Sequence, residues 1–376
     1  MLIRVGLLNY VAGTKNVTNY VLLDPAKGAR ANVTSVPYNV RPGQISQWQL
    51  SVEHSFANSY MASLAYAGSH GSNLPYPQDL NQITNQSTIK QLVSGTLALG
   101  IPQQFARPFP YWGTISGNSY NAISNYNALQ AQINKHFSNG LLFSFNYVWS
   151  HFLDDQDSSG WGNRGGTQTW QNGLEPGTNY GNSNFDIRNA FKGYAAYDLP
   201  FGRGKQFMNS NKVLDEVLGG WRLSGTFIAQ SGNPFTVVDT AGNIISNSKY
   251  TDCGNGCATF PNVVGNWHVS NPSIHGWFNT AAFAAPTVWG NERRNQLVGP
   301  GLTVLNLSLG KTFTVTERVH LELRSDWVNV LNHPSFNRPN NDLGNPAEFG
   351  LIDTTSQSGG IAVAPRSGQL SARVTF

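Results

Sequence analysis

The sequence predicts an all-β protein: an antiparallel transmembrane β-barrel, held here in part as about ten strands, with short periplasmic turns and long extracellular loops. Three observations predict it. Apolar and polar residues alternate with period two in runs near the ~9–11 residues that cross a bilayer at a tilt. These runs come in pairs joined by short turns, and the pairs are separated by loops of roughly 35 to 70 residues, lengths uncommon in compact soluble domains. The chain also stops on an aromatic residue, Phe376, with Leu370, Ala372 and Val374 on its strand face.

Composition supports this class. Charged residues make up 12% of the chain, against ~25% in ordinary soluble domains, while aromatics also reach 12% and Gly counts 39. The net charge of +4 has no Lys/Arg cluster longer than Arg293-Arg294 behind it, so no row of phosphates could be neutralised and nucleic acid is excluded as a partner. Cys253 and Cys257 lie in a Gly-rich loop. That spacing lacks the two further ligands of a zinc site and predicts a small loop-closing disulfide in an oxidising compartment. No apolar stretch reaches the 18 residues of a membrane helix. Met1–Tyr10 is too short and interrupted for a signal peptide, so the chain is expected to be a fragment whose signal and upstream parts are missing.

Residues 1–46 read as the remnant of a preceding loop or strand, and 47–376 as the C-terminal part of the barrel. The first pair is Gln47–Phe56 and Ser59–Gly68; Trp48, Leu50, Val52 and Phe56 share a face that His54 interrupts. A Pro-punctuated loop leads to Ala128–Phe137 and Leu141–His151, turning through Ser138-Asn139-Gly140. Ile187–Leu199 and Trp221–Gln230 follow, with a short helix expected over Lys212–Leu218 between them. The longest loop, from Ser231 to about Pro300, carries both cysteines. Thr303–Phe313 and Val319–Leu331 form the next pair, then a short strand near Phe349–Thr354 and the final strand Arg366–Phe376.

Alternation alone does not separate a lipid-facing barrel from a soluble sandwich, and a secreted carbohydrate-binding β-sandwich is one alternative. Aromatics favour the membrane: Trp48, Tyr147, Trp149, Trp221 and Phe313 stand near strand ends, where rings reach the headgroup level as a girdle. Leu370, Ala372, Val374 and Phe376 resemble the C-terminal signal read by the barrel-assembly machinery. The expected location is the cell outer membrane, with its lipid and lipopolysaccharide as surroundings.

Further segments resemble a known family. They are Tyr126–Gly140, Phe145–Ser150, Phe185-Asp-Ile-Arg-Asn189, Leu199–Lys205 and Gly219–Gly225, then Arg294-Asn295, Gly299-Pro-Gly301, Asn306–Leu309, Asn329–Phe336 and Arg373–Phe376. Together they look like the barrel of the Oar-like TonB-dependent receptors common in Acidobacteria. The resemblance runs from about Gln47 to the end and implies uptake of an extracellular substrate, energised through TonB in a full-length parent with an N-terminal plug. A structural or adhesive surface protein without transport is the other alternative.

Chemistry-bearing motifs are sparse. Asp154-Asp155-Gln156-Asp157-Ser158-Ser159-Gly160 looks like a calcium loop, but Gly166 stands where the bidentate Glu belongs, so it reads as a solvated loop. Glu322, Arg324 and Asp326 share a strand face with His320 and predict a charge network on the lumen wall. No nucleophile elbow or phosphate cradle accompanies the scattered His and Ser, so no enzyme activity and no cofactor are expected.

Overall fold

The protein is described by a computed structural model covering residues 33–83, 107–156, 176–207, 216–239, 260–286, 290–314, 318–355 and 365–376, with short gaps at 39, 58, 110–111, 114 and 203–204 and a few isolated positions between the spans. Cys253 and Cys257 lie outside the described residues.

Nine long strands form an antiparallel meander in which each pairs with its neighbour in sequence. They are β1 (Gln44–Phe56), β2 (Tyr60–Asp79), β3 (Ile115–Ser138), β4 (Leu141–Asp154), β5 (Asn189–Asp198), β6 (Trp221–Gln230), β7 (Leu302–Thr314), β8 (His320–Val328) and β9 (Ser367–Thr375). Two short strands complete an 11-stranded sheet: Val33–Ser35 beside β3 and Gly181–Asn182 beside β4. Among the described residues β1 and β9 remain the two edges of this open sheet.

The register places the predicted faces in continuous rows. One row runs Val52, Leu64, Ala131, Tyr147, Phe191, Ala229 across β1 to β6, and is the lipid side. The adjoining row on the other face runs Glu53, Ser63, Gln132, Asn146, Lys192. Because side chains alternate strictly, a slip of one residue would turn the polar row into lipid, so the pattern itself fixes the register. β3 and β4 turn through Asn139 (φ 51°) and Gly140 (φ 77°), the paired positive angles of the hairpin turn that matches strand twist. Glycines also seat aromatic rings: a Cβ on Gly193 would lie 2.2 Å from the ring of Phe145, its cross-strand partner.

Strand bounds depart from the sequence reading in both directions: β5 and β8 are shorter than the expected Ile187–Leu199 and Val319–Leu331, and two strands are much longer. β2 and β3 extend well beyond the expected Gly68 and Ala128, because Leu74–Asp79 pairs with Ser116–Ala122 through a bulge. Asn, Ser and Pro there hide a strand that stands in water rather than lipid. No strand forms over Phe349–Thr354; these residues turn, Gly350 has φ 81°, and Phe349 is buried. Of the expected helix over Lys212–Leu218, Glu216–Leu218 is helical and the rest lies outside the described residues.

The hydrophobic core lies in the loops. Phe235, Val237, Phe278, Ala282, Phe283, Leu297 and Phe349 pack together, joined by Trp267, Trp277 and Leu343. They come from the connections after β6 and β8, which zip to each other through Val238 and Asp342. Burial of these side chains makes the loop end a compact cap instead of separate solvated loops.

Gly193→Val is expected to unseat Phe145 and cost about 1–3 kcal/mol. The readout is a lower temperature for loss of the compact, fast-migrating band of the membrane-inserted protein; an unchanged temperature would contradict this packing.

Candidate functional site: lumen wall and loop cap

The predicted girdle residues fall into two belts on the lipid face. Trp48 and Trp149 lie toward the loop end with Tyr147 one row below, and Trp327 joins them; Trp221 and Phe313 lie toward the turn end. At about 3.3 Å per residue and a tilt near 40°, the apolar run Leu141–Trp149 covers roughly 20 Å of membrane. Two lysines missed by the sequence reading mark the turn-side belt. Lys311 Nζ donates to the carbonyls of Val217 (2.9 Å) and Gly219 (2.8 Å) and sits over the rings of Trp221 and Phe313. Lys135 Nζ lies 4.6 Å from the ring centre of Tyr60 and donates to Ser59 and Ser138 hydroxyls. Each interrupts an apolar face, Lys135 between Ile133 and Phe137, Lys311 between Leu309 and Phe313, and each folds its ammonium back to polar turn atoms. A lysine at an apolar-alternation position was the available signal.

On the opposite face, near the turns, charged residues gather around a recess of about 540 Å³. Arg324 Nε donates to Asp326 Oδ1 (2.7 Å) and to Ser308 Oγ (3.0 Å), and Glu322 pairs in register with Arg373. The sequence reading missed the second ion pair on this wall, Arg222 Nε to Asp198 Oδ1 at 2.6 Å, because its two members are separated by the β5–β6 connection. Glu322, Arg324, Asp198 and Arg222 all line the recess, with Lys205 at its turn end. Leu370, Ala372 and Val374 lie on the lipid face, paired with Ser325, Leu323 and Leu321, and Phe376 is exposed at the chain end.

Where strands meet loops, buried polar groups tie the cap down. Asp79 Oδ1 accepts from Asn81 N (2.8 Å) and Ile115 N (2.9 Å); Asp186 Oδ1 accepts from Phe152 N (2.8 Å). The acidic run expected as a solvated loop begins in this layer: Asp154 is ion-paired with Arg294, and Asp155 Oδ2 accepts from Ile123 N. The rest of that run, Asp157–Gly160, lies outside the described residues. Arg294 also donates to the Asn179 carbonyl (2.9 Å), and Asn295 Nδ2 reaches Asn182 O and Asn184 Oδ1, both at 2.7 Å. Thus Arg294-Asn295 bolts the β6–β7 loop to the β4–β5 loop.

Beside them, Glu292 is only 4% exposed. Its Oε1 accepts from Val237 N (3.0 Å), while Oε2 has no hydrogen-bond partner among the described residues. Burial pushes this carboxyl up to about 9, so it is protonated at neutral pH. Among the described residues no group of three or more His, Cys, Asp or Glu is placed to hold a metal, and no helix is long and apolar enough to cross a membrane.

Two outcomes follow for the cap. Arg294→Met strands the buried Asp154 carboxylate and is expected to cost about 3–5 kcal/mol, read as faster proteolysis of the loops with the strands retained. For Glu292 the folded value lies above the ordinary 4.5, so its contribution is fully present below 4.5 and is lost as pH rises toward about 9. The slope is about 1.4 kcal/mol per pH unit at most. Protection of the cap amides, taken relative to their intrinsic base-catalysed exchange, should therefore fall from pH 6 to 9, and Glu292→Gln should flatten that fall; an equal fall in both proteins would contradict a buried neutral carboxyl.

Comparison with known proteins agrees with this geometry. The family model described as an outer membrane beta barrel domain matches residues 9–369. Similar solved structures include the pyoverdine outer membrane receptor FpvA of Pseudomonas aeruginosa PAO1, with 10% identity and a TM-score of 0.42 over 90% of this chain and 30% of that one. The outer membrane transporter YddB of Escherichia coli also has 10% identity and a TM-score of 0.42, over 93% of this chain and 35% of that one. The chain thus spans about a third of the length of these proteins. No curated protein sequence matches it. The belts, the polar lumen wall and the family match converge: the chain belongs to the outer membrane beta barrel domain family, and its place is the outer membrane.

Proposed function

We propose that this chain is the C-terminal barrel portion of an Oar-like TonB-dependent receptor, with residues 47–376 forming barrel wall and loops and residues 1–46 leading into them. The observation that carries this reading is the division of the sheet into a lipid face with two aromatic belts and a lumen face with paired charges, capped at the loop end. In this reading Glu322, Arg324 and Asp326, together with Asp198 and Arg222, hold the lumen wall in register and present alternating charge to a passing substrate. The loops take an extracellular substrate, Cys253 and Cys257 close a small loop by a disulfide, and TonB acts on the full-length parent.

Closure follows from strand direction. β1 and β9 both run from the loop end toward the turn end, so the two edges are parallel to each other. In lipid, unpaired edge groups cost several kcal/mol each. An odd number of further strands therefore closes the barrel with antiparallel pairing throughout. The compact loop cap supports a second reading, a surface adhesin, since a rigid platform binds a partner without transport.

The two separate by energy dependence. A transporter accumulates its ligand in the periplasm only while the inner membrane is energised, so a protonophore abolishes uptake and spares surface binding; an adhesin shows surface binding alone in both conditions. The proposed assembly signal has its own test: Phe376→Ser should lower the amount of protease-protected barrel in outer membranes several-fold, and full assembly of the variant would contradict that role.

A further inference from the structure

The segment before β1 crosses the sheet. Val33–Ser35 pairs in parallel with Ile115–Gly117, along the flank of β3 that β4 has vacated, since β4 ends at Asp154 opposite Ser124. β1 then begins at Gln44 opposite Ser72, on the far flank of β2. The intervening described residues, 36–38 and 40–43, pass over the β2–β3 hairpin as a strap, and between strap and hairpin lies a recess of about 520 Å³. At about 3.3 Å per residue, the stretch from Gly68, which pairs with Trp48, to Asn73 rises roughly 10–15 Å past the loop-side belt. The recess therefore opens on the loop side, in water.

Its walls set polar side chains beside the apolar Pro37 and Leu80. Asn73, Asn118 and Asn121 supply amides, Tyr38 and Tyr120 supply hydroxyls and ring faces, and Arg41 is the charged lining residue. None of these six side chains takes a hydrogen bond or ion pair among the described residues, whereas the neighbouring Asp79, Asn81 and Asn125 are engaged. Side-chain amides offer a donor and an acceptor side by side, the pattern that vicinal hydroxyls satisfy. Tyrosine rings offer an apolar face to the C–H side of a pyranose. A guanidinium grips a carboxylate with two parallel hydrogen bonds. The volume falls within the ~300–1,000 Å³ range of small-molecule sites.

We infer that the recess under the strap binds an acidic oligosaccharide, with Arg41 on a sugar carboxylate, the three asparagines on ring hydroxyls, and the tyrosines against the pyranose faces. This goes beyond the transport reading and stands whether or not the barrel transports. Two sources carry the same chemistry: a free uronate-containing glycan, or the acidic core sugars of lipopolysaccharide in the same leaflet.

The test uses isolated outer membranes bearing the full chain, with fluorescent trigalacturonate as probe, maltotriose as neutral control and delipidated lipopolysaccharide core oligosaccharide as competitor. Saturable trigalacturonate binding is expected, weakened at least about 10-fold by Arg41→Gln, where a charge-assisted bidentate contact is lost. Asn118→Ala with Asn121→Ala should weaken it similarly, with mobility of the folded band unchanged in both variants. Maltotriose should bind at least about 10-fold more weakly than the acidic probe and be indifferent to Arg41→Gln. Displacement by the core oligosaccharide assigns the site to the leaflet's own sugars, and lack of displacement assigns it to free glycans; either outcome supports the site. Absence of saturable binding, binding unmoved by both variants, or equal affinity for maltotriose overturns it.

Discussion

The structure depends on one constraint: inside a bilayer no water is present to satisfy backbone N–H and C=O groups, so the strands must satisfy one another. An antiparallel meander does this while leaving side chains to divide between two solvents. The rows Val52–Leu64–Ala131–Tyr147 facing lipid and Glu53–Ser63–Gln132–Asn146 facing the lumen show the division, and Lys135 and Lys311 depart from it only by folding back to turn atoms. What remains of the folding problem lies at the two ends of the strands, and there the solutions differ. At the turn end the chain uses two-residue geometry, aromatic rings and two back-folded lysines. At the loop end it builds a hydrophobic core of its own.

That core changes what the loops can do. Loops held only by their strand ends would sample many conformations, and ligand binding would first have to order them. Here Phe278 contacts the rings of Phe235, Phe283 and Phe349, while Arg294 and Asn295 join loops that are far apart in sequence. The cap is therefore preorganised. Its polar ties are buried, so each depends on its partner, and Glu292 is tolerated by remaining neutral.

The membrane-crossing strands were legible in the sequence because period-two alternation is local and lipid enforces it along most of their length. Asn139-Gly140 announced its own turn. The Arg324–Asp326 pair was legible for the same reason, since residues two apart share a face. Asp198–Arg222 was not, because a register across β5 and β6 had to be known first. Phe235, Phe278, Phe283 and Phe349 have no shared periodicity and meet only through long-range packing, so loops rich in Asn, Ser and Gly concealed a core. Three of the motifs that carried the family resemblance are ties of this kind: Asp186 caps Phe152, Arg294 and Asn295 bolt two loops, and Asn329 (φ 47°) grips His333 through both its side-chain atoms. Their signal was structural from the outset.

Spin labels placed singly along β4 from Leu142 to Trp149, in the protein inserted in lipid vesicles, test the two-solvent sheet most directly. Accessibility to oxygen should peak at 143, 145, 147 and 149, and accessibility to a polar nickel chelate at 142, 144, 146 and 148, in strict alternation. Equal access of the nickel chelate to both sets would contradict a lipid-facing barrel wall.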